Sequence, residues 1–321
     1  MAFQLRTKES VSDGIARNVK RQIEKALDYL GAHKTSRAAQ SEAVHEVRKC
    51  FKKARAAVRL VREDLGDDIY HDENCCFRDA ARPLTQVRDA EMLIETLDKL
   101  EQEPAAPTSF AKIRQALVAN QTEVINRVVR QEKAFAAIVD VATGALARLP
   151  NWKIERDGWV AMDSGLRRVY RSGHRALTLS TENPSVENLH EWRKQAKYLW
   201  HQLQLLEPAW TSSAPDLAAQ FHQLSRLLGE DHDLAVLRQT LAADPLAYGG
   251  HLSLKELFTF IDPRRDELER QAFALGRTLY KDSPKVFTGR IAACWTAWAK
   301  TEGAQPKPAR PSVGGSRAVR P

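Results

Sequence analysis

Residues 44–63 read VHEVRKCFKKARAAVRLVRE, and their spacing decides the fold. Val44, Val47, Phe51, Ala54, Val58, Val61 and Leu65 recur at alternating steps of three and four. That period belongs to an amphipathic helix with one buried face, and strand alternation does not fit it. One position further round, His45, Arg48, Lys52, Arg55 and Arg59 keep the same spacing, with Lys49 and Lys53 widening the stripe. After His45, seven of the remaining eighteen residues are Lys or Arg and two are acids. Like charges four apart on a helix repel, at about a few tenths of a kcal/mol per pair. An almost purely positive stripe is therefore either a plain solvated face or a surface that receives an anion.

The rest of the chain extends the helical reading. Ala, Leu, Arg, Glu, Gln and Lys dominate, all good helix formers. The breaks are short: EQEPAAPTS (101–109), LPNWKIERDGW (149–159), STENPS (180–185), EPAWTSSAPD (207–216) and ADPLAYGG (243–250). Their Pro, Gly and small polar residues punctuate segments long enough to be helices. An all-α protein is expected. The last stretch, 301–321, is rich in Pro and Gly without periodicity and reads as a disordered basic tail.

The 321 residues carry 49 Lys and Arg against 41 Asp and Glu, a net charge of +8. This balance favours acidic partners such as nucleic acid, polyphosphate or an anionic membrane surface. No apolar run approaches the ~20 residues that span a bilayer. The start, MAFQLRTKESVSDG, lacks the apolar centre of a secretory signal, so a cytoplasmic protein with no membrane partner is expected. Cys50, Cys75, Cys76 and Cys294 form no CxxC pair and are expected as reduced, buried thiols rather than a zinc site or disulfide framework.

The opening stretch has a copy. Residues 189–208 read LHEWRKQAKYLWHQLQLLEP, matching His45 with His190, Glu46 with Glu191, Arg48 with Arg193, Lys49 with Lys194 and Lys52 with Lys197. Trp200 stands where Arg55 does, and Gln204 where Arg59 does, so the second stripe is thinner. Downstream, LTQVRDAEMLIETL (84–97) resembles LLGEDHDLAVLRQTL (227–241), which aligns Asp89 with Asp233 and Arg82 with Arg226. Upstream, GIARNVKRQIEKAL (14–27) resembles GLRRVYRSGHRAL (165–177), which aligns Gly14 with Gly165 and Arg17 with Arg168. Three blocks repeating in order imply two homologous halves, 8–148 and 158–300. Each half is expected to be an antiparallel four-helix bundle, the two related by a pseudo-twofold axis. Facing halves would bring the two stripes into one positive groove. Arg17, Lys20 and Arg21 of the first helix, Arg168, Arg171 and Arg175 of its copy, and Arg78 and Arg82 one turn apart would join it.

These blocks, taken with YHDENCCFRDAARPLTQVRDAEMLIETL (70–97), resemble the CHAD family, the conserved histidine α-helical domain, over residues 8–298. The resemblance implies paired four-helix bundles that bind inorganic polyphosphate on a basic central surface, and an association with polyphosphate granules. It maps the family histidines onto His45 and His190. It maps the basic positions onto Arg48, Lys49, Lys52, Arg55, Arg193, Lys194 and Lys197. Arg recognises phosphate oxygens through paired donors, whereas Lys acts as a point charge.

Sharper chemistries fit less well. No HExxH or His i,i+4 pair supports a metal, and YHDENCC (70–76) reads as a structural helix start with acids at its dipole. Phosphohistidine chemistry would need an orienting acid. Asp89 and Asp233 instead suit an Arg partner or a helix cap. No glycine-rich phosphate loop or catalytic triad spacing occurs. A non-catalytic binding module without cofactor is expected. Nonspecific binding of nucleic acid or another polyanion is the main alternative, although no aromatic platform interleaves with the basic stripes.

Overall fold

The computed structural model describes residues 2–31, 36–103, 110–210 and 216–301, and every regular element among them is helical. The helices are α1 (Val11–Gly31), α2 (Arg37–Leu60), α3 (Arg62–Leu65), α4 (Asp67–Ala81), α5 (Leu84–Glu101) and α6 (Ala111–Ile125). They continue with α7 (Ala134–Arg148), α8 (Asp163–Glu182), α9 (Val186–Leu206), α10 (Leu217–Ala243), α11 (His251–Leu279) and α12 (Pro284–Thr301). The expected basic tail, from residue 302 onward, lies outside the described residues.

The two stripe-bearing helices begin alike. The Ser36 hydroxyl accepts from the Ala39 amide at 3.2 Å to start α2, and Ser185 does the same for Asn188 at 3.2 Å to start α9. Each satisfies an amide that the first helical turn leaves without a partner. The apolar stripe from Val44 to Leu65 is buried at every position.

Four helices per half is too simple. The expected third helix of the first half is two helices, α4 and α5, because Pro83 cannot continue the hydrogen-bond ladder. Its counterpart α10 has Leu227 at the aligned position and runs unbroken for 27 residues. The last segment of the first half is also divided. A π-helical turn, Asn126–Gln131, leads to Lys133 in the left-handed region (φ 51°), and α7 starts afresh. In the second half, α11 and α12 divide the last segment. Of the four thiols, Cys50 is buried, whereas Cys75, Cys76 and Cys294 are only partly so.

One apolar core runs from Phe3 to Ile291. Helix α2 packs against α9 and α8 as well as against α1, α4 and α5. At the α2–α9 contact Ala56 is fully buried. There the buried Gln202 side chain donates to Ala56 O at 3.4 Å, and His201 is 1% exposed. Helix α8 lies directly on the end of α2: a Cβ added at Gly165 would fall 2.2 Å from Leu60 O. The N-terminal segment closes the arrangement. Leu5 N donates to Leu205 O at 2.8 Å, and Phe3 and Leu5 are buried.

Candidate functional site

The stripes of α2 and α9 converge. Arg48 spans from α2 to the α4–α5 bend, where Nη1 donates to Ala81 O (3.1 Å) and Thr85 Oγ1 (2.6 Å). Its Nε is buried without a partner. Arg193, the matching residue of α9, also has a buried, unpartnered Nε, and its guanidinium rests on α10 at Gly229. A Cβ there would approach Nε to 3.2 Å, so the glycine leaves room for the arginine.

Between the two arginines stand Lys52 and Lys197, both partly exposed, with no hydrogen bond or ion pair among the described residues. They act on each other electrostatically, and Arg48, Arg88 and Arg193 crowd both. Burial first and neighbouring cations second push both ammoniums down, Lys197 to about 8 and Lys52 well below its ordinary value. A concentration of positive charge that loses solvent without gaining carboxylates destabilises its own charged form. Two acids lie within reach, Asp89 and Asp233. Neither caps a helix or makes an ion pair. Burial raises both, opposed by Arg48 at Asp89 and by Arg193 at Asp233.

The histidines sit at the edge of this cluster. His45 is 46% exposed, with Nε2 3.9 Å from Glu46 Oε1. Burial and then Arg88 lower its pKa. Arg88 is anchored by Glu91 and by Glu95 (3.0 Å). His190 packs on His232 with ring centroids 4.3 Å apart, and both Nδ1 atoms are buried without partners. Burial lowers both rings, His232 to about 4, helped by His190 and Arg193.

Further along α2 the stripe meets aromatic rings. Arg55 donates to Asn74 Oδ1 (3.0 Å) and lies 5.8 Å from the Tyr198 centroid. Arg59 bonds the Tyr70 hydroxyl and sits 4.3 Å over Tyr198. Trp200, which aligns with Arg55, stacks on His222 at 4.0 Å. The expectation that no aromatic group interleaves with the basic stripes is therefore corrected: Tyr198 is one helical position beyond Lys197 and faces α2.

Other candidates are placed apart from the cluster. Lys49 pairs with Glu46 (3.0 Å), which also binds Lys25, and Lys194 pairs with Glu191 (2.5 Å). Arg17 is held by Glu9 (2.8 Å) and Gln4 O (2.9 Å), where it pins the N-terminal segment. Lys20 lies 3.8 Å from Glu24, and Arg168 binds Glu63 at 3.0 Å. Arg78 and Arg82 share Asp79 at 2.8 and 2.6 Å. Arg21 is partly buried with Nη1 unpartnered, and Arg171 and Arg175 are exposed on α8. Acids nearby consume most of these charges: those of Lys49, Lys194, Lys20 and Arg82 lie three or four residues away in the sequence, whereas those of Arg17 and Arg168 lie on other segments.

Three groups at the site escape a reading based on stripes alone: Arg88, His232 and Tyr198. The alignment of Asp89 with Asp233 carries a signal for two of them, since Arg88 and His232 precede those acids at matched positions. A separate cleft of about 940 Å³ lies between α4 and α7, with Cys75, Cys76 and Arg148 on its wall. Its Arg148 is bonded to the buried Glu73 at 2.8 and 2.9 Å, so the YHDENCC segment is tied into the packing of α7.

The family model for the CHAD domain matches residues 21–242, more than half of the chain. No curated protein matches it.

Proposed function

Since the chain belongs to the CHAD domain family, we propose that it binds inorganic polyphosphate in a trough between α2 and α9, as a non-catalytic binding module. One observation carries this reading. Lys52 and Lys197, from different helices, are crowded by Arg48, Arg88 and Arg193 and make no ion pair among the described residues; Asp233 favours charge on Lys197, but burial and these cations outweigh it. Phosphate oxygens would supply the missing negative charge and the acceptors for the free Nε atoms of Arg48 and Arg193. A phosphate polymer has no bases to read, so a line of cations suffices. The trough is the meeting place of two homologous halves, 8–148 and 158–300, about a pseudo-twofold axis. The matched pairs Arg48–Arg193 and Lys52–Lys197 support that relation, as do the nearness of Arg88 to His45 in the electrostatics of that ring and the packing of His232 on His190. A cytoplasmic location at polyphosphate granules accords with this binding.

Calorimetric titration with long-chain polyphosphate at two salt concentrations tests the reading. Four free cations, Arg48, Lys52, Arg193 and Lys197, would each release roughly one counterion or slightly fewer, a log–log salt slope of about −3. Charge reversal at Arg48 and Lys52 should abolish binding while leaving helicity intact. Unchanged affinity in that variant would place the site elsewhere. The Tyr198 ring and the Trp200–His222 stack favour a second reading, single-stranded nucleic acid, whose bases stack on aromatic rings. Competition between polyphosphate and DNA at matched charge separates the two.

A further inference from the structure

The two arms of the trough differ in one matched position. In the first half the residue before Asp89 is Arg88, a permanent cation beside His45, anchored by Glu91 and Glu95. In the second half the residue before Asp233 is His232, and Ala235 and Gln239 stand where Glu91 and Glu95 would align. His232 packs against His190 at 4.3 Å. A fixed charge in one arm thus has a titratable one as its counterpart in the other, without the two glutamates that anchor Arg88.

Building on the polyphosphate reading, we propose that His232 is a ligand-binding residue and that the His190–His232 pair makes the second arm proton-dependent. Phosphate groups entering that arm draw a proton from solvent onto the imidazole pair, and the resulting imidazolium donates to phosphate oxygen.

The surroundings set the direction. On α9, Arg193 and Lys194 oppose a proton on His190, while Glu191 favours it; from α2, Lys52 opposes it. Arg193 and, from α11, Arg265 oppose a proton on His232, and Arg265 is itself tied to Asp231 (2.8 Å) and Glu269 (3.1 Å). Asp233, adjacent on α10, belongs to Arg193 and Lys197 rather than to the ring pair. Burial is the larger cause at both rings, and the cations around them outnumber the acids, so both are lowered, His232 to about 4. A bound phosphate chain reverses that field, because each unit brings a negative charge to the same place. Arg88 needs no such reversal, so the first arm stays charged throughout.

The test is calorimetric titration of the full chain with long-chain polyphosphate at pH 7.5 and 6.0, each in two buffers of different ionisation enthalpy. Long chains keep the ligand's own titrating end groups a negligible fraction. Lys197, at about 8, is almost wholly charged at pH 6.0 and adds little there. The wild type should take up about a third to two thirds of a proton on binding and bind roughly three- to tenfold tighter at the lower pH, since one full proton changes affinity about tenfold per pH unit, or about thirtyfold over this interval. His232→Arg should bind tightly at pH 7.5 and show a smaller pH difference than the wild type, with correspondingly reduced uptake. His232→Gln should bind weakly at both. His45→Gln should lose affinity yet keep the pH difference. Circular dichroism and melting of each variant separate lost binding from lost folding. Equal proton uptake and pH difference in His232→Arg, His232→Gln and wild type would overturn the assignment. Binding of the wild type that is independent of pH overturns this proposal alone, whereas no binding at either pH overturns the polyphosphate reading with it.

Discussion

Replacing Lys197 by Met should stabilise the free protein while weakening its grip on polyphosphate. The ammonium is held at about 8 instead of 10.5, burial being the main cause and Arg193 the next. At about 1.4 kcal/mol per pH unit, that gap corresponds to about 3 kcal/mol against the charged form in the folded state. The side chain is still partly exposed, and water and counterions screen it, so about 1–2 kcal/mol is the realistic gain. Methionine keeps most of the apolar stem and drops the charge. The sign follows from the depressed value. Below pH 8 both folded and unfolded states carry the proton and the penalty is fully present. Between 8 and 10.5 the folded state loses its proton first and the penalty fades. The variant should therefore melt ~2–5 °C higher at pH 7, and the advantage should shrink towards pH 10. The assay is thermal denaturation at both pH values, with and without long-chain polyphosphate. Ligand should raise the wild-type midpoint by more than that of the variant. A variant that melts lower than wild type at pH 7 would refute the idea that this cation is held at a cost. A variant stabilised equally by ligand would refute its place in the trough.

Other outcomes follow from particular contacts. Gly165→Val should destabilise by several kcal/mol, because even a Cβ meets Leu60 O at 2.2 Å and the obstacle is backbone; chemical denaturation measures it. His201 is 1% exposed and buried to about pKa 3, so the folded state refuses a proton that the unfolded state accepts below 6.5. Stability should fall as pH drops from 6.5 towards 3, at up to about 1.4 kcal/mol per unit, and His201→Gln should flatten that slope in urea titrations across this range. Arg148→Ala leaves Glu73, with 3% of its side chain exposed, without its bidentate partner and should cost about 3 kcal/mol in the same measurement.

The spacing of residues 44–65 by itself determined a helix, its buried face and the cationic stripe beside it. Helical periodicity is a local property, and every apolar position it marked is buried. Pro- and Gly-bearing stretches likewise marked the ends of α5, α7, α8, α9 and α10, since those residues act on their own backbone. Repetition of the stripe pointed to a partner helix. Glu46 and Glu191, three residues before Lys49 and Lys194, already marked those two as paired, but which of the other cations would remain free was decided by tertiary structure. Lys49, Lys194, Arg17 and Arg168 sit in stripes as basic as Lys52 does, yet each meets a carboxylate. For Arg17 and Arg168 that carboxylate lies on another element. Lys52 and Lys197 keep their charge unpaired because the contact of α2 with α9 brings cation to cation. Sequence patterns record which face a side chain occupies; the field at that face is a sum over every element packed there, and Arg88, Tyr198 and His232 reached the site from positions that no single stripe contains.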